Sequence, residues 1–299
     1  MPYRGPLSTA TLITCVYAIL AAGVPYAARG DWNVGAEASV MHDNNVGNAE
    51  SYSDIVSDTI VGATLSVFQL FPIGEGYSLT VGANLNGEHY NLLTGLSNAT
   101  AGASVALKKK WGLGAFAPWA RAEFSVAHSD YNDDYRNASI YRGSLAAGRR
   151  IDERWNLWAE YSYERRNAAS QPEEVPGISG DAFSESSNNL SLHVEYSVYT
   201  NTYLNVAAIF RHGDFVSTQE EGSYQILNSA RAIAEDPAFG EEDYAYRLTG
   251  TTIGFKAGVN YSPTAHSLVG IDFRRFDTRA YGGNDYAKSI VEITADYAF

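Results

Sequence analysis

From residue 32 onward, apolar and polar positions alternate in short runs along almost the whole chain. A strict period of two predicts β-strands with one apolar and one polar face. Twelve such runs stand out. The first sets Trp32, Val34, Ala36, Ala38 and Val40 against Asn33, Gly35, Glu37 and Ser39, and the eighth, near 188–199, sets Leu190, Leu192, Val194, Tyr196 and Val198 against Ser191, His193, Glu195 and Ser197. The others fall near 58–70, 77–90, 99–109, 115–128, 138–149, 155–164, 202–213, 245–261, 267–277 and 286–299.

The connections between runs separate two architectures that both alternate, a soluble sandwich and a membrane barrel. Odd connections are long (43–54, 91–98, 129–137, 167–187, 214–244 and 278–285), whereas even ones are short: FPIGEG, KKKWGLG, RIDER, YTN and SPTAH. Greek-key crossovers give no reason for that regularity, but a transmembrane barrel does, with short periplasmic turns at one rim and long extracellular loops at the other. Runs of this length match the ~9–11 tilted residues that cross a bilayer, and the mature chain has no apolar run of ~18 residues that would cross as a helix. In hydrocarbon every backbone donor and acceptor needs a partner, which a closed sheet supplies without an edge. The expectation is an all-β fold, a transmembrane antiparallel up-and-down barrel of 12 strands over residues 31–299, with both ends in the periplasm.

Composition agrees with strands: 21 Tyr, 12 Phe and 5 Trp stand against 9 Pro and 2 Met. Aromatics gather near the expected strand ends at Trp32, Phe71, Tyr77, Tyr90, Trp111, Trp119, Tyr131, Tyr141, Trp155, Tyr199, Tyr203, Tyr261, Tyr281 and Phe299, as two interfacial girdles require. Residues 1–27, with Arg4 ahead of an uncharged run from Leu7 to Ala22 and then small residues, have the layout of a secretory signal peptide cut between 23 and 30. Cys15 is the only cysteine and lies inside that run, so the mature chain offers no disulfide and no thiolate metal site. No cofactor is implied. A net charge of -13 argues against a nucleic-acid partner.

The chain ends SIVEITADYAF, where Val291, Ile293, Ala295, Tyr297 and Phe299 alternate up to a terminal Phe. In this respect it resembles the bacterial outer-membrane β-barrel proteins, a porin-like class, and MHDNNVGNAESYSDIVSDTIVGA is similar to the first hairpin of porin-like barrels. The resemblance implies residence in the bacterial outer membrane after export through the periplasm, contact with lipid and lipopolysaccharide, and Tyr297 and Phe299 as a recognition signal for the barrel-assembly machinery.

Enzymatic chemistry finds little support. A lipase of this class needs Ser two residues from His on one face, and the residues two beyond each His are Asn44, Asn91, Asp130, Glu195, Asp214 and Leu268. Asp133, Asp134, His128, His212 and Asp214 supply protease ingredients near the rims, but carboxylates are common in solvated loops. His193 and Glu195 could form a metal or proton site, or simply line the lumen. No enzyme activity is expected.

The polar faces are more informative. Alternation points Glu37, Glu88, Arg121, Glu123, Arg142, Glu160, Glu164, Glu195, Arg211, Lys256, Asp272, Arg274 and Glu292 inward, with both signs on neighbouring strands. Either these charges line a water-filled channel and set its selectivity, or they pair as a structural core. Twelve strands lie between filled barrels of ~8 and open porins of ~16. The expected function is passive diffusion of small polar or charged solutes. The alternative is a non-conducting barrel that binds a surface partner or serves a polysaccharide or protein export system.

Two long connections are acidic: 167–187 holds Glu173, Glu174, Asp181 and Glu185 with no basic residue, and 214–244 holds eight acids against the single Arg231, whereas Lys108, Lys109, Lys110, Arg149, Arg150 and Arg154 lie at the short-turn rim. In the longest connection, Asn228 or Ser229 as N-cap, Ala230, Ile233 and Ala234 as one apolar face and Pro237 as a stop predict a short helix. It either folds inward as a constriction or lies over the mouth.

Overall fold

In the computed structural model, residues 32–220 and 224–299 are described, so the signal peptide expected at 1–27 lies outside the described residues. Twelve antiparallel strands close on themselves: β1 (Trp32–Asp43), β2 (Asp58–Gly74), β3 (Tyr77–Tyr90), β4 (Asn98–Lys110), β5 (Trp119–Tyr131), β6 (Ala138–Arg150), β7 (Trp155–Ala168), β8 (Glu185–Tyr199), β9 (Thr202–Gln219), β11 (Tyr244–Thr264), β12 (Ser267–Ala280) and β13 (Tyr286–Ala298). Each pairs with its sequence neighbour, β9 pairs with β11, and β13 returns to β1 with Gly35 opposite Ala298 and Asp43 opposite Ile290. Phe299 extends that seam by donating its backbone N–H to the Val34 carbonyl at 3.0 Å.

The two faces differ as the alternation requires. Large apolar side chains such as Leu65, Leu85, Phe124, Leu145, Leu192, Ile253 and Ile293 are exposed on the outer face, and their strand neighbours of opposite parity turn inward. An outer surface of this kind would be unstable in water, where contiguous apolar patches of such extent do not persist on monomers.

Four of the five expected short turns are tight, but the β4–β5 connection spans 111–118 and is longer than the 132–137 and 281–285 connections at the other rim. Gly76 takes φ +70, and a Cβ there would fall 2.3 Å from the Lys110 carbonyl oxygen, so only glycine fits as the β2–β3 hairpin folds against the end of β4. β5 begins at Trp119 rather than near 115, because Gly112 and Gly114 take positive φ and Pro118 has no N–H to give a ladder.

The largest departure from expectation lies between β9 and β11. A helix α1 (Tyr224–Ser229) ends where the sequence pattern would begin one, and residues expected to continue it form a strand, β10 (Ala232–Glu235). The cause is an open edge. β12 stops opposite Gly250, so the end of β11 has no partner on that side until β10 pairs Ala232 with Arg247 and Glu235 with Tyr244. A helix there would leave buried backbone groups of β11 unpaired. Both faces of β10 are buried: Ala232 and Ala234 pack with Ala182, Phe183 and Ala245, while Ile233 packs with Phe215, Ile226, Tyr246 and Leu248.

Candidate functional site: the lumen and its capped mouth

Register places Glu37, Arg121, Glu123, Arg142, Glu160, Glu195, Arg211, Lys256, Asp272, Arg274 and Glu292 on the inward face, together with Glu88 and Glu164. Most of them meet a charge of opposite sign. Arg121 lies 2.5 Å from Glu123, Arg142 donates to Glu160 at 2.8 Å, and Lys256 lies 2.9 Å from Asp272. Arg274 pairs with Glu292, and Arg211 reaches Glu185 at 3.7 Å while donating to the Asp214 carbonyl. Glu195 joins no ion pair among the described residues, and Glu37 sits directly opposite Asp296 of β13. Water still reaches the Arg121 and Arg142 side chains, which are 45% and 46% exposed.

Inward positions also carry groups that alternation alone does not single out. Trp158 stacks on His193 with ring centroids 4.6 Å apart and planes 2° from parallel, and His193 is held to Ser191 at 2.7 Å. Lys288 donates to Asp43 at 2.8 Å. Tyr90, Trp119, Tyr131 and Tyr203 fall on the inward parity, so they are not part of an outer aromatic girdle. Strand-end aromatics look alike in sequence whichever way they point, because parity there depends on where each strand starts. Trp119 takes Lys108 over its ring at 5.0 Å, and the Tyr131 hydroxyl accepts from Arg166.

At the long-loop end the connections converge into a packed cap. The buried carboxylate of Asp236 accepts from Arg136 of the β5–β6 connection and from the Thr218 hydroxyl at 2.7 Å. Arg136 also lies over the Phe183 ring at 4.4 Å, and its carbonyl accepts from Arg166 at 2.5 Å. Ala238 packs on Leu93 and Leu96 of the β3–β4 connection, so close that a Cβ on Gly95 would lie 2.8 Å from the Ala238 Cα. Thr218 N–H donates to the Gly47 carbonyl at 2.8 Å, Gln171 donates to Glu235, and Arg247 bridges to Asp181 at 3.2 Å. Every long connection is thus tied to the 224–243 segment or to its neighbours; the tip before β13 lies so close that a Cβ on Gly282 would fall 1.7 Å from the Ser229 hydroxyl, and Tyr286 at the start of β13 packs into the same core. Below the cap remains a cavity of about 320 Å³, lined by charged Arg136, Glu185, Arg211 and Lys288 and by aromatic Phe215, Phe239, Phe276 and Tyr286.

The residues considered for hydrolysis are dispersed into structural contacts. Asp133 accepts from the Tyr135 amide at 3.2 Å and lies 3.8 Å from Arg136. His128 sits on the outer face beside Asp130 and Ser139, His212 bonds Thr251, and Asp214 is held by Thr249, Ser186 and Arg231. Among the described residues no group of three or more His, Cys, Asp or Glu side chains is placed to hold a metal ion.

The sequence matches no protein-family profile and no curated protein. Solved structures share the fold. An outer-membrane channel from Pseudomonas putida F1 superposes with a TM-score of 0.57 at 11% identity, over 91% of this chain and 97% of that one. The NanC porin aligns at 0.45 and 10% identity, over 87% and 98%. The translocator domain of the autotransporter NalP from Neisseria meningitidis aligns at 0.41 and 10%, over 96% and 98%. The fold is that of the outer-membrane β-barrels.

Proposed function

We propose that this protein is a bacterial outer-membrane channel for passive diffusion of small polar or charged solutes, constricted at its extracellular mouth by its own connections. The observation that carries the reading is a lumen whose opposed charges stay in contact with water, Arg121 and Arg142 above all. A core that served only to fill the barrel would bury them, since an ion pair gains little from partial exposure. Opposite charges facing across a wet lumen orient polar solutes and set ion preference. The exposed apolar band meets lipid, with lipopolysaccharide around the long-loop rim.

Planar bilayer recordings test the proposal. Stepwise ionic currents whose selectivity changes in Arg142→Ala or Arg274→Ala support it; a correctly folded barrel that stays silent sinks it, and favours a surface-binding or export role for the packed cap. Tyr297 and Phe299, in edge-to-face contact at 5.0 Å on the closing seam, are the groups offered to the assembly machinery. Deleting Phe299 is expected to lower the fraction of heat-modifiable, membrane-inserted barrel several-fold, and unchanged insertion counts against that role.

A further inference from the structure

One stretch of the lumen breaks the rule that inward side chains are polar. In β2 the sequence Val67-Phe68-Gln69-Leu70-Phe71 carries large apolar residues on both faces, and register sets Phe68 opposite Gly82 and Leu70 opposite Thr80, on the inward side. Phe68 and Leu70 are 41% and 49% exposed there. They line a cleft of about 590 Å³ toward the short-turn rim, whose opposite wall carries Lys108, Trp119 and Arg121. That volume is ample for a small organic ligand.

The charges of the cleft are unequal. Arg121 is neutralised by Glu123 at 2.5 Å, whereas Lys108 rests over the Trp119 ring at 5.0 Å and has no carboxylate within ion-pair distance among the described residues. Apolar side chains kept facing water mark a binding surface, and an ammonium without a carboxylate partner beside them, with Lys110 on the same face of β4, selects the sign of what binds. We propose that this cleft is a binding site for small amphipathic monocarboxylates: the carboxylate pairs with Lys108, with Ser78 and Thr80 hydroxyls nearby, and the apolar body lies on Phe68, Leu70 and the Trp119 ring. Neutral polar solutes gain nothing from the apolar wall, and cationic amphiphiles are repelled by Lys108. The site deepens the channel reading by naming a solute class, and as a transport site it rests on that reading.

Hexanoate is the probe, titrated calorimetrically into the full-length mature barrel in lipid nanodiscs with empty nanodiscs subtracted, beside acetate, hexan-1-ol and hexylammonium. Hexanoate is expected to bind at least tenfold tighter than acetate or hexylammonium. Lys108→Gln should remove most of the preference for hexanoate over hexan-1-ol, and Leu70→Ser should weaken hexanoate several-fold while leaving acetate unchanged. Tyr52→Ala, on an exposed connection at the opposite rim, should leave hexanoate binding unaltered. Equal binding of hexanoate and acetate overturns the proposal, as does full hexanoate affinity in Lys108→Gln, a polar substitution in a wet lumen that does not threaten folding. Potassium chloride conductance of the wild-type protein is measured in parallel. A silent barrel that binds hexanoate keeps the site and loses the channel; a conducting barrel with no hexanoate preference keeps the channel and loses the site.

Discussion

The two ends of this barrel obey different physics. At the long-loop mouth, Ala182, Phe183, Ala232, Ile233, Ala234 and Leu248 pack as in the interior of a soluble protein, and Asp236 is wholly buried against Arg136. Toward the short turns the inward face is wet, and ion pairs such as Arg121–Glu123 remain partly in solvent. Burial makes the difference. The same type of contact, arginine to carboxylate, serves as a latch where its charges have no water to fall back on, and stays a loose, solvated pair where they do.

Mutation should separate these roles. Arg136→Ala strands the Asp236 charge and is expected to cost the cap about 3–5 kcal/mol, seen as faster proteolysis and amide exchange over 220–243 and as larger conductance, with the barrel itself intact on heat-modifiability gels. Phe183→Ala opens a void in the same core and should loosen the cap by about 3 kcal/mol, read by the same exchange measurement, without the electrostatic change.

pH acts more gently. Burial lifts the Asp133 carboxyl above the ordinary aspartate range, with the charges of Asp236 and Asp134 adding to it against the Tyr135 amide and Arg136. Burial likewise lifts Asp243, helped by Asp236, Glu220 and Asp54. The closed cap then holds protons that a released cap gives up, so its stability declines as pH rises from the ordinary aspartate value of 3.8 through the raised ones. Open probability in single-channel records should climb over that window, and Asp243→Asn should flatten the climb. The smallest effect on stability belongs to Arg142→Ala, about 0–1 kcal/mol in thermal unfolding, even though it should move ion selectivity.

Much of the wet end was legible in the sequence, because period-two alternation fixes parity over a long strand: Arg121, Glu123, Arg142 and Lys256 could be assigned to one face without knowing any contact. The cap was not. Ala232–Glu235 is too short to distinguish helix from strand by its own pattern, and what decides it is an unpaired edge of β11 created by the length of β12. Arg136 and Asp236 are 100 residues apart, with nothing local to link them. Phe68 and Leu70 read as ordinary strand residues until the register shows that they face inward.

The cap draws together segments that are remote along the chain: Thr218 reaches Gly47, Asn48 reaches Val216, and Arg136 reaches Asp236. Such contacts carry a high contact order and a loop-closure cost that local pairing does not offset. Hairpins can zip one after another, but the seal has no early fragment from which to grow. On this ordering the mouth closes last, after the cylinder is complete, and the barrel is at its widest just before it is finished.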